Sequence, residues 1–495
     1  MNDIPAPVLT DFYKTDHRRQ FPAGTTRVYS NFTPRGSRIP GVEAVVFFGL
    51  QYFLIEYLGR RFDETFFRLP KEQAIAAYRR RLDHALGRDA VPLDHLAALH
   101  DLGYLPLRIK ALPEGTRVPT QVPTHTVENT HPHFAWLTNF IETMMSCAVW
   151  GPCTSATIAN RYRRVFERYA RLTGAPAEFV PWQGHDFSFR GMYGVEAACL
   201  SGAAHLLSFQ GTDTIPAIDF LERYYGADCE KEVVGGSVPA TEHAVMCAGG
   251  RDSEQETYRR LLVDVYPRGV VSVVSDTWDF FSVVVRVLPA LKKEILAREG
   301  KLVIRPDSGD PVKILIGDPA APADSPERRG LIELLWDLFG GTVSPTGHRL
   351  LDPHVGAIYG DSITLGRQEA VLAGLAAKGF ASSNVVLGIG SYTYQYVTRD
   401  TFGFAMKATA CTVDGEDREI YKEPRTDVKK RSHRGCIAVR RDSDGRLFAD
   451  FPVSRAVEAS DENLLRTVYL DGKLLRRTTL SEMRALIARD LASPE

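Results

Sequence analysis

The chain contains no C-x-x-C pair among its seven cysteines, Cys147, Cys153, Cys199, Cys229, Cys247, Cys411 and Cys436. That argues against a zinc site or a disulfide framework and favours a reducing compartment. It also has no run of about eighteen uncharged apolar residues. Its opening residues, MNDIPAPVLTDFYKTDH, lack a basic segment followed by an apolar one. A secreted or membrane-spanning protein is therefore not expected, and the expected location is the cytoplasm. An excess of one charge is missing too: the formal net charge of -1 gives no bias towards nucleic acid or an anionic membrane, so any bound anion must be held by a local cluster. There are no repeats and no low-complexity linker, which leaves domain boundaries soft.

What the chain does have is 495 residues with 44% apolar and 24% charged content, globular values at a length that calls for two or three domains or one barrel with large additions. Four apolar, β-branched runs, Val270–Ser275, Lys301–Ile304, Val355–Tyr359 and Asn384–Leu387, end abruptly in small or charged residues and read as buried parallel strands. Helical spacing over Phe281–Arg298 and Arg367–Gly379 makes residues 151–395 a set of repeated βα units. Asp276, Arg305, Asp307, Asp361, Gly388 and Gly390 fall at the carboxyl ends of these strands. A closed barrel gathers four such ends at one mouth, whereas an open sheet favours one switch point, so an α/β barrel is the preferred reading. Residues 1–150 mix helical segments, Phe47–Arg60 and Lys71–Leu86, with extended pieces. Residues 396–495 carry Asp-Gly turns at Asp414-Gly415, Asp444-Gly445 and Asp471-Gly472, flanked by short apolar runs such as Thr467–Leu470, and read as an antiparallel ribbon or small sheet. A closing helix is expected over Met483–Leu491, with Thr479 and Glu482 at capping-box spacing.

The loop Ile304-Arg305-Pro306-Asp307-Ser308-Gly309-Asp310 combines a guanidinium for phosphate oxygens, a carboxylate for a ribose diol, and a glycine that lets the backbone come close. Alone, such a loop is as often an ordinary turn with a surface ion pair. Gly360-Asp361 repeats the idea at the next strand end, and Gly388-Ile389-Gly390-Ser391 offers backbone N–H groups to an anion after that. Arg399, Lys407, Lys422, Lys429, Lys430, Arg431 and Arg434 form a basic cluster that suits a pyrophosphate; an isolated charge run is more commonly a solvated face. His243 sits in a glycine-led loop, Gly235–His243, entering a helix, where a lone histidine is more often structural than catalytic. Phe187 and Arg190 can sandwich a flat heterocycle and reach phosphate, with core packing as the plain alternative for Phe187.

In order along the chain, Asp11-Phe12-Tyr13-Lys14, Phe48–Tyr52, Thr126–Thr130, Trp136–Asn139, His185–Gly191, Phe209–Thr214, Gly236–His243, Ser272–Asp276, Ile304–Gly309, Gly360-Asp361 and Thr398-Arg399-Asp400 resemble the nicotinamide phosphoribosyltransferase family, collinearly from Asp11 to about Arg484. The resemblance implies a type II phosphoribosyltransferase: an irregular α/β barrel with an accompanying α/β domain built from N- and C-terminal segments, acting as a homodimer with shared active sites. It implies that Phe187 and the partner-contributed Tyr13 stack on the pyridine ring, and that Asp213 accepts the amide N–H of nicotinamide. Ser272, Val238 and Arg190 complete that pocket. Arg305, Asp307, Gly360 and Asp361 meet ribose and phosphate, Gly388 and Gly390 the 5′-phosphate, and Arg35, Arg399, Lys407, Lys422 and Lys430 the phosphates and pyrophosphate. His243 aligns with a histidine phosphorylated from ATP, and the neighbouring Glu242 is the candidate to fix its tautomer. Where the family carries G-S-G-G-G, this chain has Gly388-Ile389-Gly390-Ser391-Tyr392. Ala405 replaces a serine two residues before the phosphate lysine, and Phe12 and Pro34 replace more polar residues near the expected interface site.

The implied reaction joins nicotinamide to phosphoribosyl pyrophosphate through an oxocarbenium-like transition state, with Mg2+ on the pyrophosphate and ATP as a coupling substrate. A nicotinate phosphoribosyltransferase is the alternative within enzymes, and a catalytically silent nucleotide-binding homologue is the alternative outside them. A glycosidase pairing Asp307 with Asp361 leaves the basic cluster without a purpose.

Overall fold

The computed structural model describes residues 4–360, 362–422 and 433–492. The chain forms two compact units, one of Met1–Thr157, Leu221–Ala227 and Val397–Glu495, the other of Ile158–Phe220 and Asp228–Tyr396.

In the second unit six strands, β1 (Gly184–Asp186), β2 (Gly211–Thr212), β3 (Arg268–Val274), β4 (Glu299–Arg305), β5 (Val355–Tyr359) and β6 (Val385–Ile389), pair in parallel in the order β2-β1-β6-β5-β4-β3. The segment Gly236 to Thr241 links the two edges: Thr212 N donates to Gly236 O (2.9 Å) and Ser272 N donates to Pro239 O (2.9 Å). The hydrogen-bonded ring is closed by this segment, which makes the sheet an irregular barrel. β3 to β6 lie where the apolar runs predict them. β1 and β2 have no such run; a buried carboxylate holds them together, Asp186 accepting from Thr212 Oγ1 (3.2 Å) and Thr214 Oγ1 (2.6 Å). The helix expected over Arg367–Gly379 spans Leu365–Ala377, with Thr364 accepting from Arg367 N at its N-cap. The helix expected over Phe281–Arg298 runs from Phe280 through Ala290, breaks at Leu291 (φ -106°, ψ 11°) and resumes over Lys292–Ala297.

The first unit is built on a seven-stranded antiparallel sheet in the order Glu416–Glu419, Ala405–Val413, Thr25–Thr33, His125–Asn129, Leu107–Ala111, Arg466–Leu470, Lys473–Leu474. N-terminal strands fill its middle and C-terminal strands flank them on both sides. Two of its hairpins turn on Asp414-Gly415 (φ 52° and 82°) and Asp471-Gly472 (φ 47° and 81°), left-handed at both positions as a two-residue type I′ turn requires. Asp444-Gly445 joins the separate hairpin of Cys436–Arg441 and Leu447–Val453. One sheet face packs on a core that includes Phe32, Phe53, Ile109 and Val127. The helix Leu480–Ala492 starts with the expected capping box, Thr479 N donating to Glu482 Oε2 (2.7 Å) and Glu482 N to Thr479 Oγ1 (3.3 Å). The helix expected to begin at Phe47 starts at Leu50, after Gly49 at φ 101°. Among the described residues no helix is long and apolar enough to cross a membrane.

Candidate active site

Every strand of the barrel delivers chemistry at its carboxyl end, and the side chains there form a circuit of contacts. It begins at Phe187, just past β1, whose backbone N donates to Ile389 O (3.0 Å). Its ring lies over two glycines: a Cβ on Gly388 would stand 2.4 Å from Phe187 Cδ2, and one on Gly360 would stand 3.3 Å from Cε2. Only a residue without a side chain fits at Gly388 with the ring in that position. The same ring packs on His185, with centroids 4.7 Å apart.

His185 Nε2 lies 2.8 Å from Asp213 Oδ1, which also accepts from Ser237 Oγ (2.6 Å). Burial opposes ionisation of Asp213, but the hydrogen bond and charge of His185, the Ser237 hydroxyl and the nearby Arg305 outweigh it and hold the carboxyl below its usual range. An ionised carboxylate only accepts, so His185 Nε2 is the donor. Arg305 ends β4 on the half-exposed face that alternates with the wholly buried Leu302 and Ile304. Its Nη2 donates to Thr241 O (2.6 Å).

Two residues beyond Thr241, His243 opens a short helix and places Nε2 3.0 Å from Asp276 Oδ1. Asp276 accepts further from Asp307 N (3.0 Å) and Ser308 Oγ (2.6 Å), so one carboxylate organises both the histidine and the loop after β4. Burial again opposes its charge, and the Ser308, His243 and Asp307 donors overcome it, keeping the carboxyl below its ordinary range. The partner of His243 is thus Asp276 and not Glu242, because the two strand ends meet across the barrel rim while Glu242 serves as the helix N-cap position. The circuit closes at Gly360, where a Cβ would meet Asp307 Oδ1 at 3.2 Å as well as the Phe187 ring. Tyr359 Oη steadies the intervening loop by donating to Gly309 O (2.7 Å).

Of the residues singled out in the sequence, Phe187, Asp213, Asp276, Arg305, Asp307, Gly360, Gly388 and His243 belong to this circuit. Ser272 lies in β3 with a buried Oγ, and neither it nor the buried Arg305 Nε has a hydrogen-bond partner among the described residues. Val238 is in the closing segment, 38% exposed. Arg190 is exposed in the turn Phe189–Gly191, and Gly390 has open space where a Cβ would be. Asp361 and Lys430 lie outside the described residues. Sequence reasoning missed His185, Ser237 and the role of Asp276; the position of Asp276 directly after a β-branched run was the available signal.

The first unit holds the other predicted residues. Lys407 lies in the strand Ala405–Val413 opposite Asn31. Partial loss of water lowers its ammonium below the ordinary range; Arg35, Lys422 and Lys14 add to that, against the pull of Glu142. Lys14 itself is buried and 2.7 Å from Glu142. Arg35 Nε donates to Gly403 O (2.9 Å), and Arg399 is exposed on a turn capped by Thr398. Tyr13, 62% exposed, sits on a turn beside Phe12, which is 54% exposed.

A model of the Nicotinamide phosphoribosyltransferase N-terminal domain matches residues 7–65, and one of the Nicotinate phosphoribosyltransferase (NAPRTase) family matches residues 182–473. The chain is 52% identical over 495 residues to a nicotinamide phosphoribosyltransferase of Acinetobacter baylyi, covering 98% of this chain and 97% of that one. The chain belongs to the nicotinamide phosphoribosyltransferase family. A family member from Xanthomonas campestris is 35% identical over 483 residues, 96% of each chain. Among solved structures, nicotinate-nucleotide pyrophosphorylase from Pyrococcus furiosus shares the fold with a TM-score of 0.60 at 14% identity, over 99% of this chain and 95% of that one. The family fold is the type II phosphoribosyltransferase barrel with its accompanying domain, as the resemblance in the sequence implies.

Proposed function

We propose that this chain transfers the phosphoribosyl group of phosphoribosyl pyrophosphate to the ring nitrogen of nicotinamide, giving nicotinamide mononucleotide and pyrophosphate in NAD salvage. The observation that carries this reading is Asp213, a half-exposed, ionised carboxylate held by Ser237 and by His185, on which the Phe187 ring packs. It accepts the amide N–H of nicotinamide and repels the carboxylate of nicotinate. At about 4 Å and an effective dielectric near 20 that repulsion is about 4 kcal/mol, roughly a thousandfold in affinity before solvent screening. The nicotinate alternative is disfavoured on this ground. The buried, unpartnered Ser272 Oγ and Arg305 Nε suit a polar ligand at the same rim.

The pyridine nitrogen attacks the anomeric carbon without a protein nucleophile, so the pocket acts by positioning. Asp307 steadies the ribose as it gains positive charge, a role the family resemblance extends to Asp361, and Arg305 meets phosphate oxygens. Mg2+ bound with the pyrophosphate would supply charge neutralisation on the leaving group. Arg35, Arg399, Lys407, Lys422 and Lys430 bind phosphate groups, with Lys14 added to the set. The exposed Tyr13 and Phe12 support a homodimer in which Tyr13 of one protomer stacks on the pyridine in the other, opposite Phe187.

ATP phosphorylates His243. The ionised Asp276 accepts from Nε2–H, which leaves Nδ1 as the nitrogen with the free lone pair. Cys153, Cys199, Cys247, Cys411 and Cys436 are free thiols, which supports a reducing, cytoplasmic setting. Purified protein incubated with phosphoribosyl pyrophosphate, Mg2+ and either base, with and without ATP, tests the reading: mononucleotide forms from nicotinamide far faster than from nicotinate, and ATP raises its yield. No product from folded protein under either condition removes the assignment.

A further inference from the structure

The unit carrying the seven-stranded sheet contains a cavity of about 400 Å³ that the transferase reaction does not use. This is within the range of about 300–1,000 Å³ typical of small-molecule sites. Its floor is apolar, formed by Leu54, Leu112, Val468 and Leu486. Its rim carries four guanidiniums from three separate segments, Arg466, Arg476 with Arg477, and Arg489.

Two of these guanidiniums, Arg476 and Arg477, are left for a ligand. Arg476 and Arg477 are exposed and make no hydrogen bond or ion pair with any described residue. Arg466 donates to the Asp461 carbonyl (3.0 Å), which carries no net charge. Two carboxyls lie on the wall. Glu114 is wholly buried and accepts from Gly49 N (2.6 Å), Gln51 N (2.5 Å) and Tyr225 Oη (2.9 Å). Glu482 is committed to the N-terminus of the helix Leu480–Ala492. The walls are also firmly placed: Gln51 clamps the C-terminal segment, its Nε2 donating to Thr478 O (3.0 Å) and its Oε1 accepting from Thr478 N (2.7 Å).

We infer that this cavity is a binding site for a small amphipathic anion, whose apolar body rests on the leucine floor while its carboxylate or phosphate is forked by Arg476 and Arg477. Paired, planar donors of this kind suit either acidic head group, and the apolar floor excludes a bare inorganic anion as the preferred occupant. The site is independent of the proposed transferase chemistry, because none of its walls belongs to the barrel unit.

The test uses the full-length protein and the fluorescent probe anilinonaphthalene sulfonate. The expected result is a saturable component at one site per chain, displaced by octyl phosphate or octanoate and not by octylamine, nicotinamide or phosphoribosyl pyrophosphate. Which of the two octyl anions displaces at lower concentration distinguishes a phosphate ligand from a carboxylate. Arg476→Glu with Arg477→Glu, both on the surface, weakens that component at least fivefold while the melting temperature and mononucleotide synthesis remain as in the wild type. Absence of a saturable component, displacement by octylamine as readily as by the anions, or a loss smaller than fivefold in the double variant overturns the inference.

Discussion

His185 with Asp213 and His243 with Asp276 are the same two residue types, paired at 2.8 and 3.0 Å on one barrel rim, with their burial reversed. In the first pair the imidazole is 11% exposed and the carboxylate 46%; in the second the imidazole is 47% exposed and the carboxylate 5%. The exposed member is the one free to meet a ligand, and the buried member fixes its charge and orientation. On the proposed function, the exposed Asp213 is the acceptor for an amide and the exposed His243 the nucleophile for a phosphoryl group. Identical chemistry is assigned two tasks by which partner faces water.

The comparison breaks most sharply at the nucleophile. His243→Ala is expected to lower incorporation of the γ-phosphate of ATP into protein by more than about a hundredfold, since it removes the proposed phosphoryl acceptor. Acid-labile label on the protein measures it. At the acceptor, Asp213→Asn is expected to narrow the preference for nicotinamide over nicotinate at least tenfold and up to about a thousandfold, as removal of one of two like charges dictates. The ratio of kcat/KM for the two bases reports it, and an unchanged ratio takes Asp213 out of that role.

The supporting members have smaller effects. His185→Ala leaves Asp213 with Ser237 as its remaining hydrogen-bond donor, so KM for nicotinamide is expected to rise about five- to tenfold with kcat little altered, the cost of one charge-assisted hydrogen bond. Equal changes in KM and kcat contradict a positioning role. A third carboxyl sharpens the contrast: Glu114, buried with only neutral donors, is pushed up to about 7 by burial, against the pull of Gln51 N, Gly49 N and Tyr225 Oη. A carboxyl whose pKa is raised on folding holds its proton more tightly in the native state. Its contribution is therefore lost as pH rises from about 4.5 to about 7, by about 3 kcal/mol in total. Glu114→Gln is expected to shrink the fall in melting temperature between pH 5 and pH 8; an unchanged fall shows that Glu114 is already ionised at pH 5.

The sequence made β3 to β6 legible, since their β-branched runs carry the signal of strands buried on both faces. β1 and β2 were not, because Gly184-His185-Asp186 and Gly211-Thr212 have no apolar run and become strands only through their neighbours and the Asp186 hydroxyl contacts. Loop residues at strand ends, such as Arg305 and Asp307, stood out for their chemistry. Asp276 stood out in the same way, but the pairings did not: Asp276 reaches His243 across 33 positions and His185 reaches Asp213 across 28, distances that no local pattern encodes. The type I′ turns at Asp414-Gly415 and Asp471-Gly472 were readable because two adjacent residues set them.

The most direct test of the division between the two pairs measures both activities on both exposed members, His243→Ala and Asp213→Asn. The predicted result is a crossed one: His243→Ala loses phosphate incorporation but keeps the wild-type preference for nicotinamide in ATP-independent synthesis, while Asp213→Asn keeps phosphate incorporation and loses the preference. Loss of both properties in either variant contradicts the account.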